Sequence, residues 1–123
     1  MLDQYRQAIL FMGMGQPADA ARLLAPIVEA EPTNAEARLQ LALAYFATAQ
    51  LPRAREQLLV LVERDPTDHY SHHLLGRTLE RQNRPAEALR HLRIAAAMAQ
   101  VADYQAAVDR VAGRLGGGRR QLG

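Results

Sequence analysis

The sequence has 123 residues, a net charge of +2 and no cysteine. A chain of this length forms one domain by size, and without cysteine it has neither disulfides nor thiolate metal ligands. Aromatic residues make up only 5% of the chain and Trp is absent, which favours Ala- and Leu-rich helices over a β-sandwich. We expect an all-α protein, and the lack of cysteine is compatible with a cytoplasmic location.

Charge and hydropathy argue against nucleic-acid and membrane partners. All fifteen basic residues are Arg, but they are interspersed among thirteen acidic residues instead of forming the one-sided patch that nucleic-acid binding requires. We interpret the absence of Lys as a coding bias. No stretch approaches the ~20 apolar residues of a membrane span. The apolar run Ala8–Gly15 resembles a signal-peptide core, but Asp3 precedes it, and a helix of the repeat described below accounts for it.

The first two predicted helices cover Met1–Met14 and Ala18–Ala30. Apolar residues recur at helical spacing in both, and Gly15 followed by Pro17 ends one helix and starts the next. Pro26 lies inside the second helix, where its missing N–H predicts a local bend.

The next two predicted helices are Ala35–Thr48 and Pro52–Arg64. Thr33 and Glu36 stand three residues apart just before an apolar run, the pattern of a capping box. We therefore expect Thr33 to cap the third helix.

The fifth and sixth predicted helices are His69–Gln82 and Ala86–Ala99. Either Thr67 or Asp68 is expected to cap the fifth helix. Asn83 takes the place that Gly15 has in the first turn, so a left-handed backbone is expected there.

A seventh helix is predicted over Asp103–Leu115, where apolar residues form one stripe that would cover an otherwise open face. The segment Gly116–Gly123 has no such stripe, and we expect it to be disordered.

A period of 34 residues relates these helices to one another, and such a period indicates stacked copies of one unit. The repeated positions are Ala20, Ala54 and Ala88; Leu24, Leu58 and Leu92; and Pro32 and Pro66. They resemble the tetratricopeptide repeat, a helix–turn–helix unit, over residues 1–102. The resemblance implies a right-handed α-solenoid with units 1–34, 35–68 and 69–102 and a capping helix at 103–115, together a domain over 1–115.

Two features depart from the family pattern. Where the family has an aromatic residue in its first helix, this chain has Gln4, Arg38 and His72. Gln7 also replaces a usual Leu. These departures predict that the first helix packs poorly on its partner.

The resemblance further implies a non-catalytic scaffold that binds an apolar or amphipathic segment of a protein partner in a concave groove. The contact residues expected from it are Leu2, Tyr5, Ile9, Met12, Leu39, Leu43, Phe46, Tyr70, His73, Arg77 and Arg81. An alternative is that a second copy of the chain occupies the same surface, as a homodimer or a helix-swapped oligomer. Arg77 and Arg81 either belong to a solvated face near Glu80 or meet an acidic end of the ligand.

No residue pattern predicts catalysis or a cofactor. The sequence lacks the nucleophile elbow, the phosphate-binding loop and the paired-His zinc motif. His69 and His73 have the i, i+4 spacing of two metal ligands, but no third ligand is fixed beside them, and we expect no metal site. His91 is expected at the surface.

Overall fold

The computed structural model describes residues 2–122, with side chains described up to residue 116. Every regular element in this range is a helix. The helices are α1 (Leu2–Gly13), α2 (Pro17–Ala30), α3 (Ala35–Ala47), α4 (Leu51–Arg64), α5 (His69–Arg81), α6 (Pro85–Met98) and α7 (Ala102–Leu122). The chain forms two compact units, Met1–Leu61 and Val62–Gly123.

The helix boundaries lie close to the predicted ones except at the carboxyl end. The predicted stop at Leu115 is too early, because α7 continues through the three Gly residues to Leu122. Gly costs only about 1 kcal/mol per residue in a helix, and the Arg and Gln that follow are good helix formers. Of the segment expected to be disordered, Gly123 lies outside the described residues. The helix α2 continues through Pro26 as one element.

The start of α3 corrects the predicted cap. Asn34, not Thr33, is the N-cap, and its side-chain oxygen accepts a hydrogen bond from the Ala37 N–H at 3.0 Å. Both residue types can cap a helix, so the sequence alone could not choose between neighbours. At α5 the predicted alternative Asp68 is confirmed, since it accepts from the Ser71 N–H at 3.1 Å.

The turn inside each helical pair contains one residue with a left-handed backbone. These residues are Gly15, Ala49 and Asn83, with φ of 72°, 58° and 61°. They lie 34 residues apart, and the chain reverses at each of them into the next helix. The left-handed conformation predicted at Asn83 is confirmed.

In the first unit, α1 packs on α2, and α2 packs on α3. The centre of this core is fully buried and includes Ala8 of α1, Ala20 and Leu24 of α2, and Ala37 of α3. Partly buried side chains of α1, among them Phe11, surround it. The predicted poor packing of the first helix is therefore wrong: the small Ala8 lets α1 approach the core closely, without the usual Leu.

In the second unit, α5 packs on α6, and α6 packs on α7. At Gly76 the helices α5 and α6 approach closely, because a Cβ built there would lie 2.5 Å from Leu92 Cδ2 and 3.1 Å from the Ala88 carbonyl oxygen. Leu92 also belongs to the core beneath α7, together with Val111, and both are fully buried.

The polar residues that replace the family's aromatic position have a shared structural role. Arg38 donates from Nη2 to the Pro32 carbonyl at 2.9 Å and from Nη1 to Gln57 Oε1 at 2.7 Å. Thirty-four residues later, His72 Nε2 lies 3.0 Å from the Pro66 carbonyl and His72 Nδ1 lies 3.1 Å from His91 Nδ1.

Each unit therefore uses one nearly buried side chain to bind the carbonyl of its Pro turn and the second helix of the pair. We call these the Arg38–Gln57 pair and the His72–His91 pair. The expectation of a surface position for His91 is wrong, because its ring is partly buried against His72.

Candidate protein-binding surfaces

The first unit has an open apolar groove along α1. Its volume is about 610 Å³, and its walls are Leu2, Tyr5, Arg6, Ile9 and Leu10 from α1, with Glu36 and Gln40 from α3. We call it the α1 groove. Its apolar wall is exposed, with Leu2 at 63%, Ile9 at 39% and Leu10 at 64% of their surface in solvent.

This exposure follows from the way α1 is seated. Ala8 faces the core and is fully buried, whereas Leu2, Ile9 and Leu10 lie roughly 100–160° around the helix from it and remain exposed. Scattered exposed Leu residues are ordinary, whereas several around one groove form a concentrated apolar surface, which is less common on a protein.

Tyr5 connects the two helices that form the α1 groove. Burial, followed by a hydrogen bond to Glu36, raises the pKa of the Tyr5 hydroxyl. The hydroxyl donates this hydrogen bond to the Glu36 carboxylate, which links α1 to α3 at the groove.

The other predicted contact residues of the first unit are less accessible. Met12 is half-buried against the core, and Leu39, Leu43 and Phe46 of α3 are also half-buried. The structure brings Leu2, Tyr5 and Ile9 together at one groove, but Met12 and the three α3 residues do not line it.

Leu10 is a groove residue that the sequence analysis missed. Its equivalent one repeat later is Ala44, which is fully buried, so repeat position alone makes Leu10 look like a core residue. The exposed apolar side chains at Leu10 and Met14, which is 60% exposed, are visible only once the helix packing is known.

The second unit has a smaller, polar pocket between α5 and α7. Its volume is about 260 Å³, and it is lined by His73 and Arg77 of α5 and by Asp103, Ala106, Ala107 and Arg110 of α7. We call it the α5–α7 pocket. Tyr70, Arg77 and Arg81 are exposed residues.

His73 does not have the open position expected of it. Only 6% of the residue is exposed, and its ring stacks on Tyr104 of α7 with centroids 4.5 Å apart. Burial, and then the charge of Arg77, lower the pKa of His73. The repeat pattern could not show that Tyr104 of α7 covers His73.

Arg110 is tied to α5 by a bidentate ion pair. Its Nε and Nη2 donate to the two Glu80 carboxylate oxygens at 2.8 and 2.7 Å. These hydrogen bonds are the main cause of the lowered pKa of Glu80. Arg110 was not predicted as a site residue, because nothing in its local sequence shows that it reaches Glu80 thirty residues away.

The His69 and His73 rings enclose an aromatic side chain. His69 Nδ1 lies 2.9 Å from the Tyr104 hydroxyl, and His73 stacks on the same ring. Within the described residues, no group of three or more His, Asp or Glu side chains is arranged to hold a metal ion. Similarly, none of the described helices is long and apolar enough to cross a lipid bilayer.

Comparison with solved structures supports the helical-repeat fold. The first tetratricopeptide repeat domain of Spaghetti (RPAP3), solved with the HSP90 peptide SRMEEVD, aligns with a TM-score of 0.86 at 14% identity over 93% of this chain and 91% of that one. The Sgt2 domain from Aspergillus fumigatus gives 0.85 at 16% identity, covering 96% and 80%. A MamA structure gives 0.85 at 22% identity, and this chain, aligned over 94% of its residues, spans 63% of that protein.

These identities are low enough that the structural matches speak for the fold alone. No curated protein matches the sequence. The sequence of residues 11–77, more than half of the chain, matches the tetratricopeptide repeat family. With its 34-residue period, its helical pairs and this match, the chain belongs to the tetratricopeptide repeat family.

Proposed function

We propose that this protein is an interaction module that binds an amphipathic helix or apolar peptide segment of a protein partner in the α1 groove. The observation that carries the proposal is the cluster of exposed apolar side chains around a groove of about 610 Å³. Family members typically serve as non-catalytic interaction modules, and one structural neighbour was solved with a bound peptide.

The chemistry of the groove defines the ligand class. Leu2, Ile9 and Leu10 offer an apolar wall, and Glu36 and Gln40 form a polar rim. An amphipathic segment would place its apolar side chains at i, i+3, i+4 and i+7 against the wall and its polar side chains at the rim.

The proposal is tested by substituting residues of the apolar wall and measuring the loss of peptide affinity. Peptides selected from a displayed random library against the intact chain would be measured by fluorescence anisotropy. We expect the double variant Ile9→Glu/Leu10→Glu to weaken binding by about tenfold or more, since burying each apolar side chain contributes roughly 1.5–3 kcal/mol.

A matched control is Leu59→Glu. Leu59 is 43% exposed on α4, in the same unit but outside the groove, so this variant should keep full affinity. Both proteins should retain the helical circular dichroism of the unchanged chain. Binding that survives the double variant would exclude the α1 groove as the site.

A second copy of the chain is the competing occupant. Light scattering over a range of protein concentrations distinguishes self-association from peptide binding, because a peptide-binding monomer keeps one mass throughout. A dimer that dissociates in the Ile9→Glu/Leu10→Glu variant would replace the peptide proposal with self-association through the same residues.

A further inference from the structure

One side of α1 repeats a surface that another helix covers elsewhere in this chain. We propose that this side of α1 is a docking surface for the second helix of a helical hairpin from a partner protein, which would stack on α1 as α2 stacks on α3. The surface adjoins the α1 groove but is distinct from it. The stacking of a hairpin and the binding of a peptide in the groove can therefore hold or fail separately.

The 34-residue repeat identifies the surface. One stripe of residues is buried in α3 and α5, but the equivalent stripe is exposed in α1. The buried residues are Ala37, Arg38, Leu41 and Ala44 in α3, and Ser71, His72, Leu75 and Thr78 in α5. Their equivalents in α1 are Asp3, Gln4, Gln7 and Leu10, followed one turn later by Met14. We call these five residues the α1 outer face.

Within the first unit, α2 packs on α3 and shares a buried cluster with this stripe. The α2 residues of the cluster include Ala21, Leu24 and Val28. The corresponding residues of α6, in or against the cluster that it shares with α7, are Leu89, Leu92 and Ala96. Both helices place apolar residues at i, i+3 and i+7. The repeat therefore specifies the kind of helix that fits the α1 outer face.

A hydrogen-bonding position accompanies the stripe. Arg38 donates to the Pro32 carbonyl of the preceding turn, and His72 Nε2 lies 3.0 Å from the Pro66 carbonyl. Gln4 occupies the same repeat position and is exposed. Its side-chain amide can donate to a carbonyl in the turn that follows a docked helix. The α1 outer face thus repeats the polar part of the covered surface as well as its apolar part.

Asp3 indicates the charge of the partner helix. Helices joined by a short turn, such as the four residues between α2 and α3, run antiparallel, so a docked helix would end near Asp3 in the first turn of α1. A basic residue in the last turn of that helix would be attracted to Asp3 and would also suit its own helix dipole. Within this chain α4 has this pattern, with Arg64 in its last turn, whereas α2 has no basic residue there.

Leu10 and Met14 distinguish the α1 outer face from a simple end cap. The terminal helix of a stack needs a polar outer face to keep the protein soluble. Asp3 and Gln7 meet that requirement, but Leu10 and Met14 are 64% and 60% exposed. Two large apolar side chains one turn apart, at positions where the repeat is otherwise covered, favour a covering helix over solvent.

A second copy of this chain does not offer a free helix of the required kind. Its α2 and α6 are already packed against α3 and α7. In α4 the equivalent residues Leu58 and Val62 are buried as well. Docking of a second copy would require one of these helices to leave its own core. The occupant is therefore a partner protein whose hairpin has an uncovered second helix.

The experiment supplies a helix of the proposed kind in register. A copy of residues 35–68 joined directly before Met1 places the α4 sequence, its basic last turn and its Pro turn at the repeat spacing from α1. Amide hydrogen exchange is then followed by nuclear magnetic resonance in the extended and the unextended chain. We expect the α1 amides to exchange about tenfold or more slowly in the extended chain, because a covered helix opens less often.

Variants of the extended chain assign this protection to the α1 outer face. Leu10→Glu/Met14→Glu should remove it, and so should Leu58→Glu/Val62→Glu in the added copy alone. Leu10→Ala should keep it, because this change copies the fully buried Ala44 into α1. The matched control is Leu59→Glu in the original α4, which is 43% exposed and lies outside the α1 outer face.

Unchanged exchange in α1, with the added helices folded by circular dichroism, would overturn the proposal. Protection that persists in Leu10→Glu/Met14→Glu would overturn it as well. A dimer of the unextended chain that protects α1 and dissociates in Met14→Glu would replace the partner protein by a second copy. Met14 does not line the α1 groove, so library peptides that still require Ile9 would leave the proposed function intact if docking fails.

Discussion

At the residue scale, Ala49 carries a backbone conformation that suits Gly or Asn better. Its φ of 58° matches those of Gly15 and Asn83 at the equivalent turns. A Cβ in this region costs roughly 1–2 kcal/mol, whereas the extra freedom of an unfolded Gly costs about 0.5–1 kcal/mol. Ala49→Gly is therefore expected to stabilise the protein by about 0.5–1 kcal/mol in urea unfolding.

The reciprocal change provides the control. Gly15→Ala puts a Cβ into the same conformation and should destabilise the protein by a similar amount, although its Cβ would meet no neighbour within 4 Å. A less stable Ala49→Gly variant would contradict the interpretation that backbone strain at this turn matters.

At the scale of the elements, the crossing of α5 and α6 depends on Gly76. A methyl group at this position would overlap Leu92 and approach the Ala88 carbonyl, so the two helices would have to separate. Overpacking of this kind costs typically about 1–3 kcal/mol, and we expect Gly76→Ala to lower the free energy of unfolding by that amount.

Gly113 on α7 gives a comparison with the opposite sign. It is exposed and helical, and a Cβ there would meet nothing within 4 Å. Because Ala has the higher helix propensity, Gly113→Ala should stabilise by about 0.5–1 kcal/mol in the same measurement. Two Gly→Ala changes with the same sign would show that propensity, not the close crossing, decides the outcome at Gly76.

The same elements show why the helices could be predicted and some of their details could not. Pro17, Pro66 and Asn83 stop or start helices by local geometry, so their effects can be read from the sequence. The choice between Thr33 and Asn34 as cap depends on a single hydrogen bond. The burial of His73 depends on where Tyr104 of α7 falls, and the exposure of Leu10 depends on the seating of Ala8. These are contacts between elements, which periodicity does not specify.

At the scale of the whole molecule, the two units differ in their response to acid, because all four His residues lie in the second unit. Burial, then the charge of His72, lower the pKa of His91 to about 4. Unfolded His titrates near 6.5, so folding favours the neutral ring. This stability is fully present above pH ~6.5 and is lost as the pH falls towards 4. The pKa of the buried His73 is also lowered, so its protonation reduces stability over the acid range in the same way.

The hydrogen-bond geometry of the His72–His91 pair also predicts a loss of stability in acid. His72 Nε2 lies against the Pro66 carbonyl, so it carries the proton, and one proton then lies between the two Nδ1 atoms 3.1 Å apart. A second proton between these atoms would leave two N–H groups pointing at each other. After allowance for the partial exposure of His91, we expect its titration to remove about 1–2 kcal/mol of stability between pH 6.5 and 4.5.

The Arg38–Gln57 pair supplies the matched variant. The double change His72→Arg/His91→Gln copies it into the second unit, with an Arg that stays charged throughout this range. Urea unfolding at pH 7.0, 6.0 and 5.0 should show a smaller loss of stability on acidification than in the unchanged chain. The reverse exchange, Arg38→His/Gln57→His, should increase the loss, and an unchanged pH dependence in both variants would contradict the role of the pair.

The enclosure of Tyr104 by His69 and His73 has a practical consequence. The chain has four Tyr residues and no Trp, so its near-ultraviolet spectrum comes mainly from very few rings. Burial is the main cause of the raised pKa of Tyr104, so this hydroxyl ionises at a higher pH than that of an exposed Tyr. The late part of the alkaline Tyr titration thus reports the seating of α7 without a label, once the late ionisation of Tyr5 is removed by Tyr5→Phe.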